Sequence, residues 1–140
     1  MTLLEMLVVL AIMGMALGIS ALNLAPLETP LAASTTLTEG FLRQARLSAI
    51  ATTSARRVLP TSTDRLGMQT APSCLATTWT TLGNKKLDLP SGVAVSDTSW
   101  SVCFSSRGIS SGNVVITLQH ETYGSEQVEV LLGGTTWVVE

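Results

Sequence analysis

The chain has 140 residues, of which 46% are hydrophobic and 13% are charged, and its formal net charge is −2. Its mean hydropathy of +0.41 is set largely by the first 27 residues, so the remainder has room for one modest soluble domain. Two cysteines and one histidine without clustered spacing exclude a closed zinc site, and neither a nucleophile motif nor a phosphate loop is present. The sequence therefore predicts no cofactor and no enzyme activity.

The first 27 residues predict an apolar helix that carries one charge, Glu5. From residue 6 to residue 27 there are 22 consecutive uncharged residues. At about 1.5 Å per residue they make a helix of roughly 33 Å, and a bilayer core is about 30 Å thick. No Lys, Arg or His occurs in the first 42 residues. Because an unpaired carboxylate is costly in such surroundings, Glu5 needs a partner from another chain, from the chain's own amino terminus or from the lipid headgroups.

Three ordinary explanations fit this helix poorly. A signal peptide begins with a basic region, and a simple membrane anchor has basic flanking residues. A buried core helix of this length is too long for the rest of the chain to surround. The pattern favours a helix that is membrane-soluble at one stage and packs against copies of itself at another.

Residues 1–12 read MTLLEMLVVLAI, with a Thr-Leu-Leu-Glu block before a β-branched apolar run. This block closely resembles the mature amino terminus of type IV pilins and type II secretion pseudopilins. The resemblance implies that a prepilin peptidase exposes and N-methylates Met1. It also implies that the Glu5 carboxylate, with Thr2 beside it, meets the α-ammonium group of residue 1 in a neighbouring subunit and sets the register of assembly.

The same resemblance implies partners and a location. The partners are copies of the chain or other pilins in a helical filament, together with the assembly platform. The chain is expected to be a single-pass inner-membrane protein before assembly and part of a periplasmic or cell-surface filament afterwards. The expected function is that of a structural subunit of a type IV pilus or type II secretion pseudopilus. The alternative is a minor or tip pilin that binds DNA, a surface or a secreted substrate.

Gly14, Gly18 and Pro26 interrupt the helical pattern of the first segment. Glycine weakens a helix by about 1 kcal/mol relative to Ala, and an interior proline by about 3 kcal/mol. The two glycines are typical of a small-residue packing face between helices. Together with Pro26 they also fit a segment that melts or kinks on entry into a filament. Both interpretations stay open.

Residues 28–59 are predicted to continue as an amphipathic helix that Pro60 stops. One face of this helix holds six residues: Leu37, Phe41, Ala45, Thr52, Ala55 and Leu59. Arg43, Arg46 and Arg57 fall on the opposite face, with Glu39 placed for an i,i+4 pair with Arg43. This basic face is interpreted as solvated, with contacts to neighbouring subunits or to nucleic acid as the alternatives.

Residues 60–140 show a period of two and predict an antiparallel sheet packed on the amphipathic helix, an α+β fold. Candidate strands are 74–81, 92–96, 99–105, 113–120, 126–132 and 135–139. The segment VCFSSRG at 102–108, Gly112 and the last hairpin resemble the GspH/FimT-type minor pilins. DNA-binding members of that group carry basic residues near the end of the chain. Residues 133–140 include no basic residue, so nucleic acid is not the favoured partner.

Cys74 and Cys103 are the only cysteines, and the expected location is outside the cytoplasm, so a disulfide is predicted, with two separate thiols as the alternative. His120 is predicted to be a surface strand residue. Trp79, Trp100 and Trp137 are expected to serve core or subunit packing, with a ligand-stacking platform as the alternative.

Overall fold

The computed structural model describes residues 2–22 and 28–139. Two helices, α1 (Leu3–Leu22) and α2 (Pro30–Thr52), precede eight strands. The strands are β1 (Ala55–Ser62), β2 (Arg65–Ala71), β3 (Thr80–Asp88), β4 (Val93–Val95), β5 (Val102–Phe104), β6 (Val114–His120), β7 (Gly124–Val130) and β8 (Thr136–Val139). The predicted α+β class is confirmed, and we call residues 28–139 the head.

Both ends of α2 follow from local chemistry. The Thr29 hydroxyl accepts a hydrogen bond from the Ala32 N–H at 3.2 Å, and Pro30 occupies the first helical turn, where its missing N–H costs nothing. At the other end Thr53 takes the left-handed conformation, with φ 50°, and stops the helix. The predicted extension of this helix to residue 59 is therefore wrong, because residues 55–59 belong to β1.

Pro60, which was expected to end a helix, lies inside β1 opposite Leu66 of β2. Proline cannot donate to a sheet ladder, so it is tolerated in strands only at edges, ends or bulges. β5 pairs with β1 only at residues 56–58, and the β1–β2 register shifts between Pro60 and Ser62. Pro60 thus lies at an irregular, singly paired end of the strand.

The strands form two four-stranded antiparallel sheets, where the sequence had predicted one sheet. Sheet I has the order β3-β2-β1-β5, and sheet II has the order β4-β6-β7-β8. The predicted strands at 92–96, 113–120, 126–132 and 135–139 correspond to the four strands of sheet II within two residues at each end. Sheet I was predicted poorly: β1 and β2 were missed, and only residues 80–81 of the predicted strand 74–81 belong to β3.

The core lies where α2 packs against both sheets. The buried stripe of α2 comprises Leu31, Ser34, Thr35, Thr38, Phe41, Leu42, Ala45 and Ala49. It includes Phe41 and Ala45 of the predicted face, but Leu37 is 45% exposed and Thr52 is exposed as well. The real stripe is more polar than expected, because it includes the buried hydroxyl residues Ser34, Thr35 and Thr38.

Sheet II has one buried and one open face. Ile116, Leu118, Val128 and Val130 are fully buried and point toward α2. On the same inner face, the Thr136 hydroxyl donates to Glu39 of α2 at 3.2 Å. Residues that alternate with these point outward, since side chains along a strand change face at every residue.

A disulfide joins Cys74 and Cys103, as predicted, with Cα atoms 5.8 Å apart. Cys103 lies in β5, and Cys74 lies in the segment between β2 and β3. The bond therefore ties that segment to the far edge strand of sheet I.

Candidate assembly site

The first turn of α1 contains the acidic half of a capping box. The Thr2 N–H donates to a carboxylate oxygen of Glu5 at 3.4 Å, and the Thr2 carbonyl accepts from the N–H groups of Glu5 and Met6 at 3.0 and 3.3 Å. The motif T-x-x-E is the sequence signature of this arrangement, in which the acid at the third helical position satisfies the backbone of the cap. The spacing of Thr2 and Glu5 indicates this hydrogen bond, although it was not among the expectations drawn from the sequence.

The apolar side chains that follow are all solvent-exposed in the single chain. Their exposed fractions run from 46% at Val9 to 81% at Leu3. The set comprises Leu3, Leu4, Met6, Leu7, Val8, Val9, Leu10, Ile12 and Met13. A helix that is apolar on every side is normally buried, whereas residues 3–13 of α1 are left uncovered by the described part of the chain. Within residues 2–22 and 28–139, no helix qualifies as a membrane span by length and hydropathy.

The structure describes only some of the other residues that the sequence assigned to assembly. Met1 and Pro26 lie outside the described residues. Gly14 and Gly18 lie within α1, whose helical backbone passes through both. Their roles as packing or hinge residues stay predictions.

The three arginines expected on one face are in fact dispersed, so the predicted basic face is wrong. Arg43 is exposed and pairs with Glu39 at 2.7 Å, as the i,i+4 spacing predicted. Arg46 is half-buried and donates to the Gly134 carbonyl at 3.1 Å. Arg57 belongs to β1 and stacks on Trp79, with its guanidinium carbon 4.2 Å from the ring centroid. The three tryptophans are likewise not gathered into a platform, since Trp100 packs against the core and Trp137 is 61% exposed.

Two glycines allow the last hairpin to approach the loop after β5. A Cβ added to Gly134 would lie 2.2 Å from the Gly108 carbonyl oxygen and 3.0 Å from the Arg46 Nε, so it would clash with the first atom and crowd the second. Gly134 also has φ 78°, a conformation that favours glycine. The Gly133-Gly134 turn predicted from the sequence therefore both reverses the chain and joins it to α2 through Arg46.

A shallow groove runs along the outer face of α2 beside β3. Its lining residues are Gly40, Arg43, Gln44, Leu47, Ser48, Ala51 and Lys85, and we call it the α2 groove. Leu47 is 60% exposed there, so the floor is apolar, whereas Arg43 and Lys85 make the rim cationic.

A second apolar surface lies on the open face of sheet II. Val115 lies directly across from Glu129, and Glu129 directly across from Trp137, so the three form one row over β6, β7 and β8. Val139 lies two residues further along β8 on the same face. Val115, Trp137 and Val139 are 51%, 61% and 40% exposed. We call these four residues the sheet II patch.

Two exposed carboxyl groups with lowered pKa values, those of Asp64 and Asp97, lie in loops between strands. The Ser62 hydroxyl donates to Asp64 at 2.5 Å and lowers the pKa of that carboxyl. The Ser99 hydroxyl and N–H lower the pKa of Asp97 in the same way. The rings of His120 and Tyr123 are in contact in a tilted arrangement, with their centroids 4.8 Å apart and their planes inclined by 49°. Across the described ranges no three His, Cys, Asp or Glu side chains are grouped to hold a metal ion.

No protein-family model and no curated protein sequence matches the chain. Solved structures do. The type IV minor pilin FimU of Pseudomonas aeruginosa superimposes with a TM-score of 0.63 at 13% identity, covering 79% of this chain and 88% of FimU. A second crystal form of FimU gives a TM-score of 0.60 at 13% identity, covering 77% and 91%.

The minor pseudopilin EpsH of the type 2 secretion system of Vibrio cholerae gives a TM-score of 0.61 at 14% identity, covering 79% of this chain and 97% of EpsH. Identities this low establish the fold alone. The pilin-like fold that the resemblance implied is therefore confirmed.

Proposed function

We propose that this chain is a structural subunit of a type IV pilus or a type II secretion pseudopilus. The observation that carries the proposal is the exposure of the apolar side chains of α1 from Leu3 to Met13, in a chain whose head has a pilin-like fold. Burial is worth about 25 cal/mol per Å² of apolar surface, so packing α1 against copies of itself supplies a large driving force. Polymerisation through α1 covers this surface.

Glu5 sets the register of that packing. Its hydrogen bond from the Thr2 N–H satisfies one backbone donor and leaves the negative charge uncompensated within the described part of α1. The α-ammonium group of residue 1 in a neighbouring subunit supplies the opposite charge. In surroundings of low dielectric constant this attraction is much stronger than in water, and a shift by one helical turn leaves both charges buried and unpaired.

The remaining steps rest on the amino-terminal sequence. A prepilin peptidase exposes Met1 and methylates it, and the inner membrane holds the apolar segment before assembly. The 22 uncharged residues at 6–27 support that stage, because a helix of that length is about 33 Å long and a bilayer core is about 30 Å thick. Gly14, Gly18 and Pro26 then let the helix adjust as it leaves the bilayer. The assembled subunit lies in a periplasmic or cell-surface filament with other pilins.

A minor or tip subunit is the second candidate. FimU and EpsH are both described as minor components, and their folds match this one. Imaging of filaments made by this chain alone separates the two candidates, since abundant homopolymers indicate a major subunit and their absence indicates a minor one. DNA is the least favoured ligand for a tip subunit, because residues 60–140 carry seven acids against four bases.

The proposal is tested by producing the full chain from a leader-bearing precursor in cells with a pilus or pseudopilus machine. We expect the wild-type chain in the filament fraction sheared from the cells. Glu5→Ala should insert into the membrane normally and enter filaments poorly. Filament yield and composition unchanged by Glu5→Ala would contradict the register role, and a wild-type chain absent from filaments would contradict the function itself.

A further inference from the structure

We propose that the heads of successive copies dock through two different surfaces, the sheet II patch of one copy against the α2 groove of the next. The occupant of the groove is thus a second copy of this chain. The inference rests on the proposed function, because polymerisation is what brings the copies together, and it adds a head-to-head contact to the contact between α1 helices.

The two surfaces point away from each other on one head. Thr35 of α2 donates to Glu126 of β7 at 3.1 Å, which places Glu126 on the face of sheet II that packs on α2. Glu129 is three residues further along β7 and therefore points to the opposite face. The α2 groove lies on the side of α2 turned away from sheet II. One head thus offers the patch on one side and the groove on the other.

Such a pair of unlike surfaces suits a filament. A contact between two different patches of identical subunits is heterologous and repeats without closing unless the rotation forms a ring. A contact between like patches makes a closed dimer instead. The placement of groove and patch on opposite sides of the head is therefore the arrangement that an open helical array uses.

The charges of the two surfaces are complementary. Glu129 lies between the exposed Val115 and Trp137, and no cation pairs with it in the described part of the chain. On the groove rim, Lys85 has no acidic partner among residues 28–139, whereas Arg43 already holds Glu39. One carboxylate within an apolar patch therefore faces one free ammonium beside an apolar floor. Complementary charges of this kind fix orientation and suppress wrong contacts.

Gly40 provides an independent argument for close approach at the groove. It lies near the middle of α2, where glycine weakens a helix relative to alanine. No contact in the described part of the chain requires it, because a Cβ at Gly40 would meet no atom within 4 Å outside the neighbouring backbone of its own helix. A glycine kept bare on a helix surface lets another backbone or a large ring come close. The Trp137 ring, the most exposed side chain of the sheet II patch, is the group that fits this space.

Cysteine cross-linking tests the contact in the full chain. Gln44 lies in the groove and Gln127 lies on the open face next to Val139, and both are exposed. We expect the variant Gln44→Cys/Gln127→Cys, oxidised in sheared filaments, to give a ladder of covalent multimers. Each single variant should stop at dimers, and Thr61→Cys/Gln127→Cys, with one cysteine at the end of β1, should give no ladder.

The outcomes separate this inference from the proposed function. Normal filaments without a ladder overturn the head contact and leave the subunit role standing. A wild-type chain that never enters filaments overturns both.

Charge reversal then tests the pairing within the ladder-forming variant. Lys85→Glu and Glu129→Lys should each lower the multimer yield about fivefold, and the double reversal should restore most of it. Equal yields in all four proteins would overturn the pairing.

Gly40→Ala should raise the Tm of the head by roughly 4 °C while lowering the multimer yield. A higher Tm with an unchanged ladder would show that Gly40 is not a point of close approach.

Discussion

The two helices of this protein are similar in length and opposite in their relation to the rest of the chain. α2 buries eight residues against two sheets, whereas the described side chains of α1 are exposed from Leu3 to Met13. α2 reaches its low-energy state within one chain because its apolar stripe has a partner there. Residues 3–13 of α1 have no such partner in the described part of the chain, and the proposed function supplies one from other subunits.

The difference also shows in how each helix uses its acidic residue. Glu39 of α2 pairs with Arg43 and accepts from Thr136, so its charge is compensated by the fold. Glu5 of α1 accepts only the long hydrogen bond from the Thr2 N–H among the described contacts. Glu39 therefore contributes to the stability of the head, whereas the proposed role of Glu5 is recognition between subunits.

The largest effect on the stability of the head is expected when a leucine is replaced by alanine in α2, whereas the same substitution in α1 should not affect it. Leu42 of α2 is fully buried and Leu7 of α1 is 59% exposed. Leu42→Ala should lower the free energy of unfolding of the head by about 2–5 kcal/mol because it leaves a cavity. Leu7→Ala should leave that free energy unchanged and reduce incorporation into filaments. Thermal and denaturant unfolding measure both, and a loss of head stability in Leu7→Ala would break the comparison.

A smaller effect is expected where α2 meets β1. Arg56 is 8% exposed and donates to the hydroxyls of Ser48 and Thr52, both at 3.0 Å, and of Thr70. Its charge also faces the carboxyl end of α2, which favours cations. Arg56→Ala should destabilise the head by about 2 kcal/mol through lost hydrogen bonds and packing.

Arg43→Ala is the matched control for this variant. Its side chain is 67% exposed, and surface ion pairs contribute little. Denaturant midpoints should therefore barely move in Arg43→Ala. Equal losses in the two arginine variants would contradict the role assigned to Arg56.

The smallest effect should be a gain. Thr38 is fully buried on α2, and its hydroxyl has no hydrogen-bond partner in the described structure. Thr38→Val removes an unsatisfied polar group and should stabilise the head by about 1 kcal/mol. Thr36→Val, on the exposed side of the same turn, should change the stability by less than about 0.5 kcal/mol. A destabilised Thr38→Val protein would indicate that the hydroxyl does find a partner.

The sequence predicted sheet II well and sheet I badly, for physical reasons. The strands of sheet II alternate buried and exposed residues, as in Val114–His120, and glycine turns bound them. β3 is mostly polar, with an exposed pattern and two lysines, so it carries little periodic signal. Its position depends on pairing with β2 and on the disulfide, neither of which has a local signature.

The end of α2 was misjudged because tertiary contacts override local preference. Residues 55–59 continue the helical spacing of apolar residues, and Pro60 looks like a stop signal. In the fold, Ala55 and Val58 are fully buried in sheet I, and Arg56 satisfies three hydroxyls. The assembly role of Glu5 stays a prediction, and it could be made from the sequence because a lone acid in an apolar run needs no knowledge of the fold. The hydrogen bond from the Thr2 N–H to Glu5 was not predicted, because only the charge of Glu5 was considered and not its spacing from Thr2.

The central claim is that the charge of Glu5, more than its capping hydrogen bond, directs assembly. Glu5→Gln separates the two, because glutamine still accepts from the Thr2 N–H in a capping box but carries no charge. The decisive measurement is the fraction of the full chain found in sheared filaments for wild type, Glu5→Gln and Glu5→Ala at equal membrane levels. We expect the filament fraction of both variants to fall by about tenfold or more, since each leaves the neighbouring ammonium group unpaired. Wild-type incorporation of Glu5→Gln, with a loss only in Glu5→Ala, would contradict it.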